Sequence, residues 1–175
     1  MTIRPAGPRD LEECRRLDGS CASETVWNMQ QLGERDGITI LFSEVRLPRP
    51  MEIAYPVSLT GLARRLERGD SIMVAEDGGI IGWLAMSVDD GCGLARVDHL
   101  VVAPERRREG IGTSLLREAT RSAREAGLRV VLLACQAKNG PAIAFCRRLG
   151  LEFCGYNEQQ FADHEVTLLF AYRVR

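Results

Sequence analysis

The sequence predicts a mixed α/β fold: a mostly antiparallel, twisted sheet of about six or seven strands with one central parallel pair, flanked by about four helices. Three observations carry this. Two turn signals, Asp77-Gly78-Gly79 and Asp89-Asp-Gly-Cys-Gly93, separate three strand-forming runs, which reads as an antiparallel meander. From Arg96 to Gly112 a short apolar run passes through an arginine- and glycine-rich loop into a helical repeat. After that helix, the wholly apolar run Leu128 to Cys135 reads as a central strand parallel to the one before the helix.

In order, Thr2 to Arg4 is a first strand, and Pro8 to Leu17 an amphipathic helix with Leu11, Cys14 and Leu17 on one face and acids in its first turn. Ser23 to Leu32 reads as a second helix, capped by Ser23 with Glu24 in its first turn. Asp36-Gly37 is a turn, and Ile38 to Phe42 a short strand or a lid segment. Pro48, Pro50 and Pro56 mark an irregular connection before a helical stretch from Leu59 to Arg68. The meander strands are Ser71 to Glu76, Ile80 to Val88 and Leu94 to Val102; Pro104 stops the last. Ile111, Leu115, Leu116, Ala119 and Ala123 then recur at helical spacing until Gly127, placed as a C-cap glycine. Asn139 caps a further helix with Pro141 in its first turn, a buried stripe of Ala142, Phe145, Cys146 and Leu149, and Gly150 at its end. Glu152 to Tyr156 and Val166 to Val174 close the sheet, and no repeat, linker or low-complexity segment interrupts a single domain over 1–175.

With 45% hydrophobic and 27% charged residues, the chain has the composition of a soluble globular protein. A net charge of −1 argues against nucleic acid as partner, because neutralising phosphates needs a basic excess. Cys14, Cys21, Cys92, Cys135, Cys146 and Cys154 fall in no metal-ligand spacing, so no metal is expected. They read as reduced thiols of a cytoplasmic protein, and no run reaches the ~20 apolar residues that would cross a membrane.

The strand-loop-helix unit carries chemistry. The first N–H groups of a helix have no intrahelical partner and lie at the positive end of its dipole, so they form an anion socket. Gly110 and Gly112 let the backbone approach a ligand, and Arg107 and Arg108 add charge beside it. The spacing Arg107-x-x-Gly110-x-Gly112, within Val-Val-Ala-Pro-Glu-Arg-Arg-Arg-Glu-Gly-Ile-Gly, resembles the acyl-CoA pyrophosphate loop of the GNAT superfamily of N-acetyltransferases. A second segment, Asn139-Gly-Pro-Ala142-Ile-Ala-Phe145-Cys146-Arg-Arg-Leu149-Gly150, is similar to that family's other signature. The resemblance covers roughly Ser71 to Arg173, and the first 70 residues match in outline only. A Rossmann nucleotide domain is the rival for a glycine turn. It would need repeating parallel β-α units and an acid ending the next strand, but a meander precedes this loop and that strand ends in Cys135-Gln136.

The resemblance implies a GNAT-like sheet whose parallel pair splays, and acetyl-CoA as co-substrate, held by Leu100, Val101 and Val102, by Arg107, Arg108, Glu109, Gly110, Ile111, Gly112 and Thr113, and by Asn139, Ala142 and Phe145. Backbone N–H groups of Leu100 to Val102 would stabilise the thioester oxygen. The acceptor is most often a primary amine, whose deprotonation at pH 7 costs roughly 5 kcal/mol, so a base is expected. Asp98 is the first candidate, since strand alternation puts it with Leu100 and Val102 and puts His99 on the opposite face with Val97 and Val101. The family's tyrosine, which protonates the departing CoA thiolate, is replaced by Cys146, leaving Cys146, Tyr156 or water to supply that proton.

Residues 1–70 and the closing hairpin 151–175 would form the acceptor side around the acetyl-CoA core 71–150. Glu24, Trp27 and Asn28 lead its candidates, with Glu44, Tyr156 and Gln160, because acids beside an indole suit a cationic amine. The chain end is similar to the streptothricin-acetyltransferase branch, which favours a small molecule of aminoglycoside, streptothricin-like or metabolite type. A protein N-terminus or lysine, and a non-catalytic acyl-CoA-binding module, are the alternatives. Acetyl-CoA and an amine acceptor are thus the partners, with no nucleic acid and no membrane, and a homodimer is left open.

Overall fold

The computed structural model describes residues 1–34, 36–56, 61–160 and 164–174. Among these, seven strands form one sheet in the order β1-β4-β5-β6-β7-β9-β8, β2 and β3 form a separate two-stranded ribbon, and there are four α-helices. The strands are β1 Thr2–Pro5, β2 Cys21–Glu34, β3 Gly37–Ile53, β4 Ser71–Glu76, β5 Ile80–Asp89, β6 Leu94–Val102, β7 Val130–Gln136, β8 Glu152–Asn157 and β9 Thr167–Arg173. The helices are α1 Leu11–Arg16, α2 Leu62–Glu67, α3 Ile111–Glu125 and α4 Gly140–Arg148. No helix among the described residues is long and apolar enough to cross a membrane. The chain divides into two compact units.

The first unit comprises residues 1–19, 55–134 and 171–175. Its meander is as the turn signals predict: β4 pairs antiparallel with β1 and β5, and β5 with β6. α3 buries Ile111, Leu115, Leu116, Ala119 and Ala123, the stripe read from the sequence, and packs on β4, β5 and β6. The other side of the sheet carries a core of Leu11 and Cys14 from α1, Leu62 from α2, and Ile72, Val74, Trp83, Ala85 and Val101 from the strands. Gly82 on β5 is required by packing, since a Cβ there would lie 3.0 Å from Val101 O and 3.1 Å from Ile111 Cγ2. The predicted helix from Leu59 is present from Leu62; Leu59 and Thr60 lie outside the described residues.

The ladder between β6 and β7 is parallel and runs from Leu94↔Val130 to Val97↔Leu133, while β6 itself continues to Val102. On the β5 side the register passes from Ala85↔His99 to Met86↔Val97, which leaves Asp98 unpaired in a β-bulge.

The second unit comprises residues 20–54 and 135–170. The helix expected from Ser23 to Leu32 is instead the strand β2, paired with β3 from Cys21↔Ile53 to Glu34↔Gly37. Two features account for the strand. Ser23 does not cap a helix: its Oγ donates to Thr25 O at 2.6 Å and accepts from Gly140 N–H at 3.1 Å. And Thr25-Val26-Trp27 is β-branched and aromatic, with polar Asn28 and Gln30 on one face and Trp27 and Met29 on the other, a period of two. Asp36-Gly37 is accordingly a hairpin turn, and Ile38 to Phe42 is part of a 17-residue strand. The register shift between Ser23 and Thr25 sets Leu47 to Pro50 opposite Glu24 alone, a long irregularity that two prolines without N–H donors tolerate. The acceptor-side helices expected before residue 70 are therefore α1, a β-ribbon and α2.

Candidate active site

Two parts of the candidate site are built within the two units. In the first, Pro104 opens a single 3-10 turn through Arg106, and the chain then reaches Arg108 at φ +71° and Gly110 at φ +85°. Left-handed backbone at both positions turns the loop sharply into α3. Gly110 is the N-cap and has no side chain to offer, so no side-chain cap meets the first turn. Its carbonyl takes Ser114 N–H at 3.0 Å as the first helical bond. The N–H groups of Ile111, Gly112 and Thr113 precede that bond and remain available to an anion.

The three loop arginines divide their work. Arg106 pairs with Asp77 at 2.9 Å and with Glu109 at 2.9 Å, pinning the loop to the β4–β5 turn. Arg107, expected beside the ligand, instead spends its guanidinium on two carbonyls, Val102 O at 3.0 Å and Asp18 O at 2.9 Å. Arg108, two residues before the N-cap Gly110, is exposed with no ion pair among the described residues.

Beyond the bulge on β6, Leu100 and Val102 are half-buried and Val101 is buried. Asp98 is held between two guanidinium groups: Arg65 Nη1 donates to Oδ2 and Arg96 Nε to Oδ1, each at 2.7 Å. Burial pushes its carboxyl up, but hydrogen bonds from Ser87 and Arg65 and the charges of both arginines win, and the pKa lies below the usual range. An acid so held is ionised at neutral pH and a weak proton acceptor, which counts against the base role expected for it. The alternation argument also needs correction. Because Asp98 is bulged, its bond to α2 and the tilted contact of His99 with Trp83 bring both side chains to the sheet face that carries α2.

His99 is 3% exposed, and burial together with the Arg65 charge lowers its pKa to about 4, so its ring is neutral at pH 7. Its Nδ1 lies 3.0 Å from Tyr55 Oη. Burial pushes the Tyr55 phenol up, while Leu100 N–H donates to its oxygen and Arg65 favours its anion. Tyr55 and Arg65 were missed in the sequence. Tyr55 lies in a proline-marked stretch with no periodic signal, and Arg65 is one of many helix arginines.

In the second unit Asn139 caps α4, its Oδ1 accepting from Ala142 N–H at 3.0 Å, as the motif predicts. The buried stripe of α4 is corrected: Gly140, Ile143 and Cys146 are buried, while Ala142, Phe145 and Leu149 are half-buried. Gly140 allows the helix start to sit on β2, where a Cβ would fall 2.8 Å from Thr25 O and 2.9 Å from Ser23 Oγ.

Cys146 is corrected as an acid candidate. Its side chain is fully buried, with Sγ 3.6 Å from Cys135 Sγ, which counts against an acid role. Tyr156 stands in an aromatic cluster, its ring 5.6 Å from that of Phe42, which in turn lies 5.5 Å from Phe153.

The acceptor candidates on the ribbon are placed but not gathered. Trp27 lies opposite Glu44 in the β2–β3 register, as an indole beside an acid, but its ring face is covered by Arg147 at 5.3 Å. Asn28 is exposed, and Glu24 is exposed on a shallow cavity that it shares with Arg46 and Arg49. Gln160 is half-buried beyond β8. A separate cavity of about 460 Å³ in this unit is lined by Trp27, Phe42, Phe153 and Phe170 with Arg147. Among the described residues no group of three or more His, Cys, Asp or Glu side chains could hold a metal ion.

Known proteins share both sequence and fold with this chain. It is 32% identical over 159 residues to the streptothricin acetyltransferase of Streptomyces lavendulae, an alignment covering 87% of this chain and 82% of that one. The crystal structure of nourseothricin acetyltransferase superposes with a TM-score of 0.84 at 29% identity, covering 99% of this chain and 98% of that one. A crystal structure from Bacillus anthracis str. Ames in complex with acetyl coenzyme A shares the fold, with a TM-score of 0.79 at 18% identity and 98% of each chain covered. Residues 35–151 match the acetyltransferase (GNAT) family, and with a relative 32% identical over 87% of its length, the chain belongs to that family.

Proposed function

We propose that this acetyltransferase moves the acetyl group of acetyl-CoA to a primary amine of a small cationic molecule of the streptothricin type. The observation that carries the reading is the open first turn of α3, in a chain whose whole-length relatives act on streptothricin and nourseothricin. In this reading the N–H groups of Ile111, Gly112 and Thr113 take the pyrophosphate, with Gly110 and Glu109 shaping the loop and Arg108 supplying charge. Arg107 holds the loop against Asp18. Leu100, Val101 and Val102 receive the pantetheine arm and thioester, and Asn139, Ala142 and Phe145 are the further proposed acetyl-CoA contacts. The whole chain serves as one transferase domain.

The chemistry is an addition and a collapse. The neutral amine nitrogen attacks the thioester carbon, its C–N bond forms, and the C–S bond breaks with its electron pair on sulfur. Orientation provides most of the acceleration. The carboxylate of Asp98 keeps Arg65 and Arg96 in place, and the ammonium proton leaves through water. Glu24, Trp27, Asn28 and Tyr156 are the proposed acceptor contacts.

The test is a thiol-release assay with acetyl-CoA and a panel of streptothricin, aminoglycosides, simple polyamines and peptide N-termini. Release of CoA with streptothricin at more than tenfold the kcat/KM of any peptide supports the reading. Binding of acetyl-CoA with no release to any amine would instead mark a non-catalytic acyl-CoA module, and preference for peptides a protein acetyltransferase.

A further inference from the structure

Three tyrosines are present in the chain. Tyr156 packs edge-on in the aromatic cluster of the second unit, and Tyr172 is 37% exposed on β9. Tyr55 is different. Its hydroxyl lies 3.0 Å from His99 Nδ1 and receives Leu100 N–H, a backbone donor beyond Val97, where the parallel ladder ends. We propose, building on the acetyl-transfer reading, that Tyr55 is the acid that protonates the departing CoA sulfur, in place of the buried Cys146.

Its surroundings fit that role. With His99 neutral, assigning Nδ1 as the acceptor leaves the hydroxyl proton on Tyr55 and satisfies the Tyr55 hydroxyl: Tyr55 donates to His99, and Leu100 donates to Tyr55. The acid is therefore loaded before reaction. Once the proton moves to sulfur, the phenolate keeps Leu100 N–H and the charge of Arg65. The ring is held from behind by Gly19, where a Cβ would fall 2.5 Å from Tyr55 Cδ2. Gly19 follows Asp18, whose carbonyl takes the Arg107 guanidinium, so the pyrophosphate loop and the tyrosine share one support.

The protons balance without any further reagent. As the C–S bond breaks, the sulfur pair takes the Tyr55 proton to give the CoA thiol. The nitrogen that has become the amide loses one proton, which returns to the Tyr55 oxygen. Donor and acceptor thus exchange acetyl and hydrogen, and Tyr55 ends as it began.

The experiment compares wild type with Tyr55→Phe, and with Gly19→Ala as a second variant that displaces the ring without touching the hydroxyl. Calorimetry with CoA and acetyl-CoA comes first, then turnover on the best amine from the panel. The expected result is CoA affinity and KM for acetyl-CoA within threefold of wild type, with kcat lowered about 100-fold or more in Tyr55→Phe and at least tenfold in Gly19→Ala. A Tyr55→Phe kcat within threefold of wild type, at unchanged melting temperature, would overturn the assignment while acetyl transfer stands. Parallel loss of CoA affinity and kcat would also overturn it, by making Tyr55 a structural support. Wild type that binds acetyl-CoA but acetylates nothing would sink the transfer reading, and this one with it.

Discussion

Arg65 Nη1 donates to Asp98 Oδ2 at 2.7 Å, and the pair joins α2 to the bulge on β6. That contact, with the one from Arg96, engages both oxygens of the carboxylate expected as the base. It also places the guanidinium charge that lowers the pKa of His99 and favours the anion of Tyr55.

Asp98→Asn is expected to cost about 2 kcal/mol of stability, since it removes a charge-assisted hydrogen bond from a half-buried arginine. Turnover should fall less than tenfold. Because the folded pKa is depressed, the stabilisation is complete above about pH 4, the unfolded value, and is lost as pH falls through the lower folded one. Denaturant melts at pH 7 and 3 together with kcat provide the check. A 100-fold loss of kcat at unchanged stability would restore Asp98 as the base.

His99 has the opposite charge logic and a different window. A ring with pKa 6.5 when unfolded and about 4 when folded binds its proton more readily in the unfolded chain. Stability is therefore full above pH 6.5 and declines as pH falls toward 4, by about 3 kcal/mol at most. His99→Gln should flatten the stability curve between pH 6.5 and 4. An equally steep curve in the variant would show that other groups carry the acid sensitivity.

Gly112→Trp places a large ring over the free N–H groups at the start of α3. CoA affinity should fall at least 100-fold with the fold intact by circular dichroism. Titration calorimetry measures this, and unchanged affinity would contradict the anion socket.

Gly140→Ala tests the seat of α4 on β2. The added Cβ would meet Thr25 O and Ser23 Oγ inside contact distance, and the expected loss is about 1–3 kcal/mol in thermal or urea unfolding. A neutral substitution would mean that the helix start can shift away from the ribbon.

Cys146→Ala should leave kcat within twofold of wild type, while Cys146→Tyr, which restores the family's residue, should destabilise by about 1–3 kcal/mol through overpacking. The fully buried position has room for a thiol facing Cys135 and not for a phenol. An active, stable Cys146→Tyr would reverse this account.

The strand-loop-helix unit of the protein was legible because its signals are local. Pro104 and Gly110 determine backbone that any fold must respect, and Ile111 to Ala123 repeat at a single period, so loop and helix were placed correctly. Asn139 likewise caps α4 through a bond spanning three residues. The ribbon was not legible, because Ser23 and Glu24 satisfy a helix start as well as they satisfy a strand. What decides between the two is pairing with β3 and the contact with Gly140, more than a hundred residues away.

By itself the sequence determined the meander, the uncapped start of α3 and the family, since these rest on short-range backbone preferences and residue periodicity. Only the tertiary structure decided which ionisable groups face one another: that Asp98 is locked by Arg65, that Cys146 is sealed against Cys135, and that Tyr55 meets His99 and Leu100. A side chain's proton affinity is set by what surrounds it in space. Those neighbours, in this protein, come from α2, from the stretch before it and from a one-residue bulge that no periodic pattern announces.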